Sequence, residues 1–178
     1  VLFCVTANAQ ILSGTVEGNN FIGTSSSQWA SITPLGIVSD VVVVAHVYWN
    51  FNNITQVTYG GFACSLVDRQ TGNNNQAEDL WLCHNPPQGT QSIEMSIESG
   101  SHRVIGYAIP YANTNGIGNR SAVLYTMSSA GSAHLINSIA VQSSNNVVTS
   151  YLNWVANNTF PLGIWNSDNT LINVDPAY

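Results

Sequence analysis

Apolar residues come along this chain in short runs that alternate with polar residues, and clusters of Gly, Asn, Ser and Pro separate the runs. The clusters recur about every 8 to 15 residues, and helical periodicity is nearly absent. Alternation with a period of two is typical of strands with one buried face. The pattern predicts an all-β fold, a sandwich or a barrel. The predicted strands are 1–12, 38–48, 56–59, 62–67, 79–84, 91–98, 102–109, 122–127, 134–142, 147–154 and 171–174.

The strictest alternation lies in the first eleven residues, where one side of the predicted strand is uniformly apolar. We interpret it as a donor strand that fills a groove in the sheet of a neighbouring copy. Two other interpretations stay open: an ordinary strand of its own sheet, and the remnant of a secretory signal ending in the small-x-small sequence Ala7-Asn8-Ala9. The predicted donor residues are Val1, Phe3, Val5, Ala7, Ala9 and Ile11.

The chain shows no linker, charge run or internal repeat that would divide it further. Residues 1–14 are therefore predicted to be the donor strand and its hinge, and residues 15–178 the β-sandwich domain. Gly14 and the polar stretch from Glu17 to Asn20 are the expected hinge. The segment from Val41 to His46 is apolar on both faces and is predicted to be a central strand.

Two of the three cysteines are placed to form a disulfide. Cys64 and Cys83 flank a polar loop whose midpoint falls at Asn73 and Asn74, so a hairpin that turns there sets them opposite one another. The bond would close a loop of about 20 residues, for which chain entropy gives about 3 kcal/mol. The alternative is a pair of buried, reduced thiols. Cys4 is predicted to be a free, half-buried thiol.

The composition argues against several classes of partner. Only 7% of the residues are charged, lysine is absent and the formal net charge is −6, so no cationic surface is available for nucleic acid. No apolar run approaches the roughly 20 residues that span a bilayer. Sequons at Asn53, Asn119 and Asn157 are compatible with N-linked glycans on a secreted protein.

No residue pattern predicts a catalytic or metal site, so neither an enzyme nor a cofactor is expected. His46, His84, His102 and His134 are scattered singly and are interpreted as structural or surface residues. Two acidic pairs, Glu78 with Asp79 and Glu94 with Glu98, could serve a glycosidase, but solvated charges are the favoured interpretation.

The aromatic residues raise a second hypothesis, a secreted carbohydrate-binding module that stacks sugar rings on exposed side chains. Most of these positions fall in predicted strands and are expected in the core. A coplanar row of uncovered rings would favour sugar binding over assembly. A viral or phage jelly-roll surface protein shares the same fold and composition. The tryptophans concerned are Trp29, Trp49, Trp81, Trp154 and Trp165.

About a third of the chain carries a recognisable set of motifs: Tyr59-Gly60-Gly61, then Leu80-Trp81-Leu82, and then Asn85-Pro86-Pro87-Gln88-Gly89 before an alternating strand. This set resembles secreted archaeal and bacterial β-sandwich proteins, among them subunits of archaeal extracellular threads. The resemblance implies a single β-sandwich of jelly-roll-like or immunoglobulin-like type. It also implies a surface filament in which the N-terminal strand of each subunit completes the sandwich of the adjacent subunit. The expected function is therefore that of a secreted, homopolymeric filament subunit in adhesion or surface attachment.

Overall fold

The structure is a computed structural model of the chain. It describes residues 2–5, 12–13, 17–23, 26–28, 38–48, 54–72, 76–98, 102–114, 116–121, 147–152, 162–165 and 171–175. Every regular element among these residues is a strand, which confirms the all-β prediction. The strands are β1 (Leu2–Val5), β2 (Leu12–Ser13), β3 (Glu17–Gly23), β4 (Ser26–Gln28), β5 (Asp40–Tyr48), β6 (Ile54–Tyr59), β7 (Phe62–Ala63), β8 (Ser65–Gly72), β9 (Gln76–His84), β10 (Ile93–Ile97), β11 (His102–Ala112), β12 (Ile117–Ser121), β13 (Val147–Leu152), β14 (Leu162–Trp165) and β15 (Leu171–Asp175).

The chain divides into two compact units. Unit 1 comprises Val1–Thr6 and Ile117–Tyr178, and unit 2 comprises Ala7–Gly116. The sequence analysis instead divides the chain after residue 14, where the expected donor strand and hinge end. That division stays a prediction.

Unit 2 contains a six-stranded antiparallel sheet with the order β2-β11-β5-β9-β8, in which β3 also pairs with β11. Its central strand is β5, which pairs with β11 on one side and β9 on the other. Residues 41–45 of β5 are buried on both faces, and this confirms the predicted central strand. A run of valines suits this position because β-branched side chains pack well on a pleated surface and no position of the run has to face water.

A four-stranded antiparallel sheet with the order β4-β10-β6-β7 completes unit 2. Strand β10 shows the expected alternation: Ile93, Met95 and Ile97 are buried, whereas Glu94 and Ser96 are partly exposed. These buried side chains join Val41, Val43, Trp81 and others of the six-stranded sheet in one hydrophobic cluster. Both sheets of unit 2 therefore contribute to one core.

The motif turns of unit 2 have clear physical causes. Gly60 and Gly61 connect β6 to β7 with φ angles of 55° and 79°, and a two-residue hairpin turn of type I′ requires positive φ at both positions. The turn after β9 is held by the Gln88 amide, whose Nε2 donates to the Val38 carbonyl at 2.9 Å while its Oε1 accepts from the Val38 N–H at 2.8 Å. The Tyr59 hydroxyl donates to the carbonyl of Gly89 in the same turn at 3.0 Å.

Unit 1 contains a five-stranded antiparallel sheet with the order β12-β1-β13-β14-β15. Its strands come from the beginning of the sequence and from its last third. Strand β1 therefore pairs with residues far from it in the chain, whereas β13, β14 and β15 follow one another.

The structure corrects two details of the sequence analysis. The expected hinge at Glu17–Asn20 lies in β3, where pairing with β11 overrides the weak strand propensity of Gly and Asn. The strand predicted at 62–67 is two strands, because at Cys64 the chain leaves the sheet of β6 for that of β9. Gly14 and the predicted strands 122–127 and 134–142 lie outside the described residues.

Candidate assembly site

The candidate site is the position of β1 in the sheet of unit 1. Strand β1 lies between β12 and β13 and is antiparallel to both. With β13 the pairing is continuous: Leu2 pairs with Ser150, Phe3 with Thr149, Cys4 with Val148 and Val5 with Val147. Strand β1 is therefore hydrogen-bonded on both sides, and its removal would break two ladders. We call the space between β12 and β13 the β1 slot.

The pairing of β1 with β12 is irregular. Leu2 pairs with Ser121, Phe3 with Arg120 and Val5 with Ile117, so the single residue Cys4 faces the two residues Gly118 and Asn119. Two residues opposite one define a β-bulge, here in β12. The bulge sets Ile117 rather than Gly118 opposite Val5.

The predicted donor residues are only partly within the described chain. Phe3 and Val5 lie in β1, and in this structure β1 pairs with strands of its own chain. Val1, Ala7, Ala9 and Ile11 lie outside the described residues, as do the sequons at Asn53 and Asn157. Asn119 lies in β12, at the bulge.

The predicted disulfide between Cys64 and Cys83 is confirmed. The register explains it, since Ser65 pairs with Leu82 and the two cysteines occupy the next step of the same ladder. A bulge at Val67 then shifts the register, so that Gly72 pairs with Gln76 around the predicted turn. Cys64 also donates its N–H to the Val57 carbonyl of β6 at 2.9 Å. The disulfide thus fixes the point at which the chain passes between the two sheets of unit 2.

An ion pair between Arg69 and Asp79 forms a second tie across unit 2. Arg69 Nε and Nη2 each donate to a different oxygen of Asp79 at 2.6 Å, and Nη2 also donates to the Ile54 carbonyl of β6 at 2.8 Å. Trp81 Nε1 donates to Asp79 Oδ2 at 3.4 Å. Asp79 is completely buried, so its interpretation as a solvated charge is wrong. A sequence signal existed, because Asp79 alternates with the apolar residues Ala77 and Trp81.

Burial and ion pairing shift the pKa of the Asp79 carboxyl in opposite directions. Burial raises the pKa of Asp79 above its ordinary value, because it disfavours the charged form, and the hydrogen bonds from Arg69 limit that rise. The hydrogen bond to Asp79 raises the pKa of the Arg69 guanidinium. Arg69 and Asp79 therefore compensate each other's charge in the fold, and loss of the guanidinium would leave the buried carboxylate without its charged partner.

Another polar cluster lies where β5 begins and β9 ends. Asp40 is completely buried; its Oδ1 lies 2.6 Å from His84 Nδ1, and its Oδ2 accepts from the Gly116 N–H at 2.9 Å. Asn85 Nδ2 lies 3.0 Å from His84 Nε2. Because a carboxylate accepts, Nδ1–H donates to Asp40, and Nε2 of a neutral ring accepts from Asn85.

Both nitrogens of His84 therefore have hydrogen-bond partners in this structure. The cluster joins the ends of two strands to Gly116, the last residue of unit 2. Within the part of the chain that the structure describes, no three His, Cys, Asp or Glu side chains are grouped as a metal site would require. The same part contains no helix with the length and apolarity needed to cross a membrane.

Among the described side chains of unit 2, most of the aromatic ones that bear on sugar binding are internal. Tyr59, Trp81, Tyr107 and Tyr111 are buried, whereas Phe62 is 41% exposed. Trp29, Trp49 and Trp154 lie outside the described residues. The buried rings do not supply the exposed surface on which a sugar would stack.

No family model, curated protein or solved structure matches this chain. The resemblance to thread subunits therefore rests on the quoted motifs alone.

Proposed function

We propose that this protein is a structural subunit of an extracellular filament, assembled by donation of β1 to the β1 slot of the next subunit. The observation that carries the proposal is the place of β1 inside a sheet, between β12 and β13. Residues 6–11 then connect it to β2, which belongs to unit 2. One strand and one slot are therefore present in every copy.

Exchange of β1 between copies needs no new ladder. The residue pairs that form when β1 fills its own slot are the same pairs that form when it fills the slot of a neighbour. The backbone hydrogen bonds are then equal in the two arrangements, so the choice depends on the segment that connects β1 to unit 2 and on concentration. Because donor and acceptor are different surfaces, repeated donation propagates in one direction and produces a filament when the rotation between subunits does not close a ring.

Two features of unit 2 support the extracellular part of the proposal. The Cys64–Cys83 disulfide is typical of secreted proteins, since cytosolic thiols are kept reduced. The shared core of the two sheets supports a jelly-roll-like or immunoglobulin-like sandwich, a common architecture of surface proteins. A viral surface protein would share these features, and the assembly mechanism proposed here applies to it as well.

A single substitution distinguishes exchange from internal pairing. Val148 pairs with the native Cys4, and the Cα atoms of partners in an antiparallel ladder lie about 4.5 to 5.5 Å apart, within the range of a disulfide. Val148→Cys should therefore link to Cys4 under mild oxidation. If β1 is donated, non-reducing electrophoresis shows a ladder of covalent multimers, and electron microscopy shows filaments that resist denaturant until reduced.

Thr149→Cys is the matched control, because Thr149 pairs with Phe3 and lies one step out of register with Cys4. It should give neither ladder nor internal link. If Val148→Cys instead gives only monomers, with an internal bond between Cys4 and the introduced cysteine, each chain fills its own slot and the proposed filament is wrong.

A further inference from the structure

The alternation of residues 1–11 does not determine the register in which β1 fills the β1 slot. Because apolar residues recur at every second position from Val1 to Ile11, a shift of the strand by two residues keeps the same side apolar. Hydrophobic patterning therefore excludes a one-residue slip but not a two-residue slip. A strand that enters a slot from another chain needs a further device to stop at one register.

The two strands that flank β1 differ in whether they mark one position along the ladder. Strand β13 pairs with β1 without interruption and offers the same ladder at each step. Strand β12 carries the bulge, in which Gly118 and Asn119 together face Cys4. Bulges fix register in sheets, because the local bend and the unpaired residue occupy one defined position along the strand.

The bulge also determines which residues flank Val5. On one side of Val5 lies Ile117 and on the other Val147, so three β-branched residues form a row across three strands. Without the bulge, Gly118 would take the place of Ile117. A two-residue slip would replace Val5 in this row by Phe3 or Ala7, and β-branched cross-strand pairs contribute to sheet stability.

We propose that the bulge at Gly118–Asn119 is the register stop of the β1 slot, which selects the pairing of Cys4 with Val148. The stop acts on β1 whichever chain supplies it. The inference therefore deepens the proposed assembly but can be tested separately from it.

The test compares two introduced cysteines as partners of the native Cys4. Val148→Cys reports the observed register, and Ser150→Cys reports a shift of two residues, since Ser150 pairs with Leu2. In the otherwise unchanged chain, the yield of the link in Val148→Cys should exceed that in Ser150→Cys by at least about tenfold, as expected for a specified register. Mass spectrometry of unreduced peptides measures both links, within chains and between chains.

Deletion of Gly118 removes the bulge but retains the pairs of Phe3 with Arg120 and of Val5 with Ile117. In this variant the ratio of the two links should fall to within about threefold, because only the alternation and the row of Val5 with Ile117 and Val147 are left to select the register. Gly118→Ala is the matched control, since it keeps the residue count of the bulge and should keep the original ratio. Insertion of a glycine after Ser121 in the deletion variant restores the chain length outside the ladder and should leave the lower ratio unchanged.

An unchanged ratio after deletion of Gly118 would overturn the proposal. Loss of both links in the deletion variant and in its length-compensated form would overturn it as well, because the bulge would then be required for the sheet to form rather than for its register. The filament proposal fails on a different result, internal links alone, so the two failures are distinguishable.

Discussion

Unit 2 and unit 1 are both built from antiparallel strands, but unit 2 is one continuous stretch of chain, whereas unit 1 combines the first six residues with residues 117–178. In unit 2, β8 and β9 form a hairpin and β6 is followed by its partner β7. A disulfide and the Arg69–Asp79 pair then tie its elements together. In unit 1, the strand β1 pairs with β12 and β13, from the other end of the sequence.

The two units therefore differ in whether they include a strand from a distant part of the chain. Unit 2 is one continuous stretch of chain whose two sheets share a core, so we expect it to keep its fold when residues 1–6 are removed. The sheet of unit 1 includes a strand from a distant part of the chain. Under the proposed assembly this strand is the one exchanged between copies, whereas the disulfide and the Arg69–Asp79 pair lie within unit 2.

Removal of β1 should have the largest effect and is the strongest test of this difference between the units. Deletion of residues 1–6 should leave β5, β9 and β11 protected from hydrogen exchange, while amides of β13 lose protection by roughly two orders of magnitude because their ladder with β1 is gone. Hydrogen exchange with mass spectrometry measures both sets in one sample.

A synthetic peptide of residues 1–11 should restore the protection of β13 when added to the truncated protein. A peptide of the same composition with its alternation scrambled is the control and should have no effect. Equal loss of protection in β5 and β13 would contradict the independence of unit 2.

The next effect should come from the buried ion pair. Arg69→Leu leaves the completely buried Asp79 carboxylate unpaired, and the expected loss of unfolding free energy is about 3 to 4 kcal/mol, the lower part of the range for buried pairs. The lower part applies because the Arg69 side chain is 24% exposed. Urea denaturation measures this loss. The double variant Arg69→Leu with Asp79→Leu should recover part of it, since no buried charge is left; a single-variant loss below about 0.5 kcal/mol would show that the pair behaves as a surface salt bridge.

The same variants should differ in their pH dependence. The raised pKa of Asp79 means that the folded state binds more protons than the unfolded state between the ordinary carboxyl pKa of about 3.9 and the raised value. The contribution of this carboxyl to stability is therefore lost as pH rises through that window. Arg69→Leu removes the hydrogen bonds that lower the pKa of Asp79, so its stability should fall more steeply with rising pH than that of the double variant Arg69→Leu with Asp79→Leu. Parallel curves would contradict this assignment.

The disulfide should have a comparable or smaller effect, confined to unit 2. Replacement of Cys64 and Cys83 by alanine should lower the unfolding free energy by about 3 kcal/mol, the chain-entropy estimate for a closed loop of this size, given a sequence separation of 19. Cys4→Ser is the matched control, since Cys4 lies in β1 of unit 1. Thermal unfolding in the absence of reductant measures both. A larger effect of Cys4→Ser would reverse the assignment of the structural cysteines.

How much of the strand pairing could be predicted from the sequence depends on the distance over which the pairing acts. A hairpin register follows from its turn, so the midpoint between Cys64 and Cys83 was sufficient to predict their bond. The partners of β1 are separated from it by most of the chain, and no local pattern identifies them. Strand β3 was missed for the same reason, because its Gly and Asn residues acquire strand structure only through the distant β11.

Asp79 and Asp40 were missed for a different reason. Charged residues are mostly exposed, so composition favours solvent for both, whereas their partners Arg69 and His84 become visible only when the strands are paired. The alternation of Asp79 with Ala77 and Trp81 was a usable signal that a buried partner should be sought.

The smallest expected effect concerns the β6–β7 turn of unit 2. Gly61 has a φ of 79°, and a Cβ added there would have no heavy atom within 4 Å, so Gly61→Ala tests backbone strain without a steric clash. We expect a loss of about 1 kcal/mol in unfolding free energy, because the left-handed region disfavours residues with a Cβ. Gly61→Asn is the matched control and should cost less, since asparagine tolerates this conformation. Because the turn joins strands that are neighbours in sequence, hydrogen exchange in β13 should stay unchanged in both variants; altered protection there would show that unit 1 depends on unit 2 more closely than the two patterns of strand pairing imply.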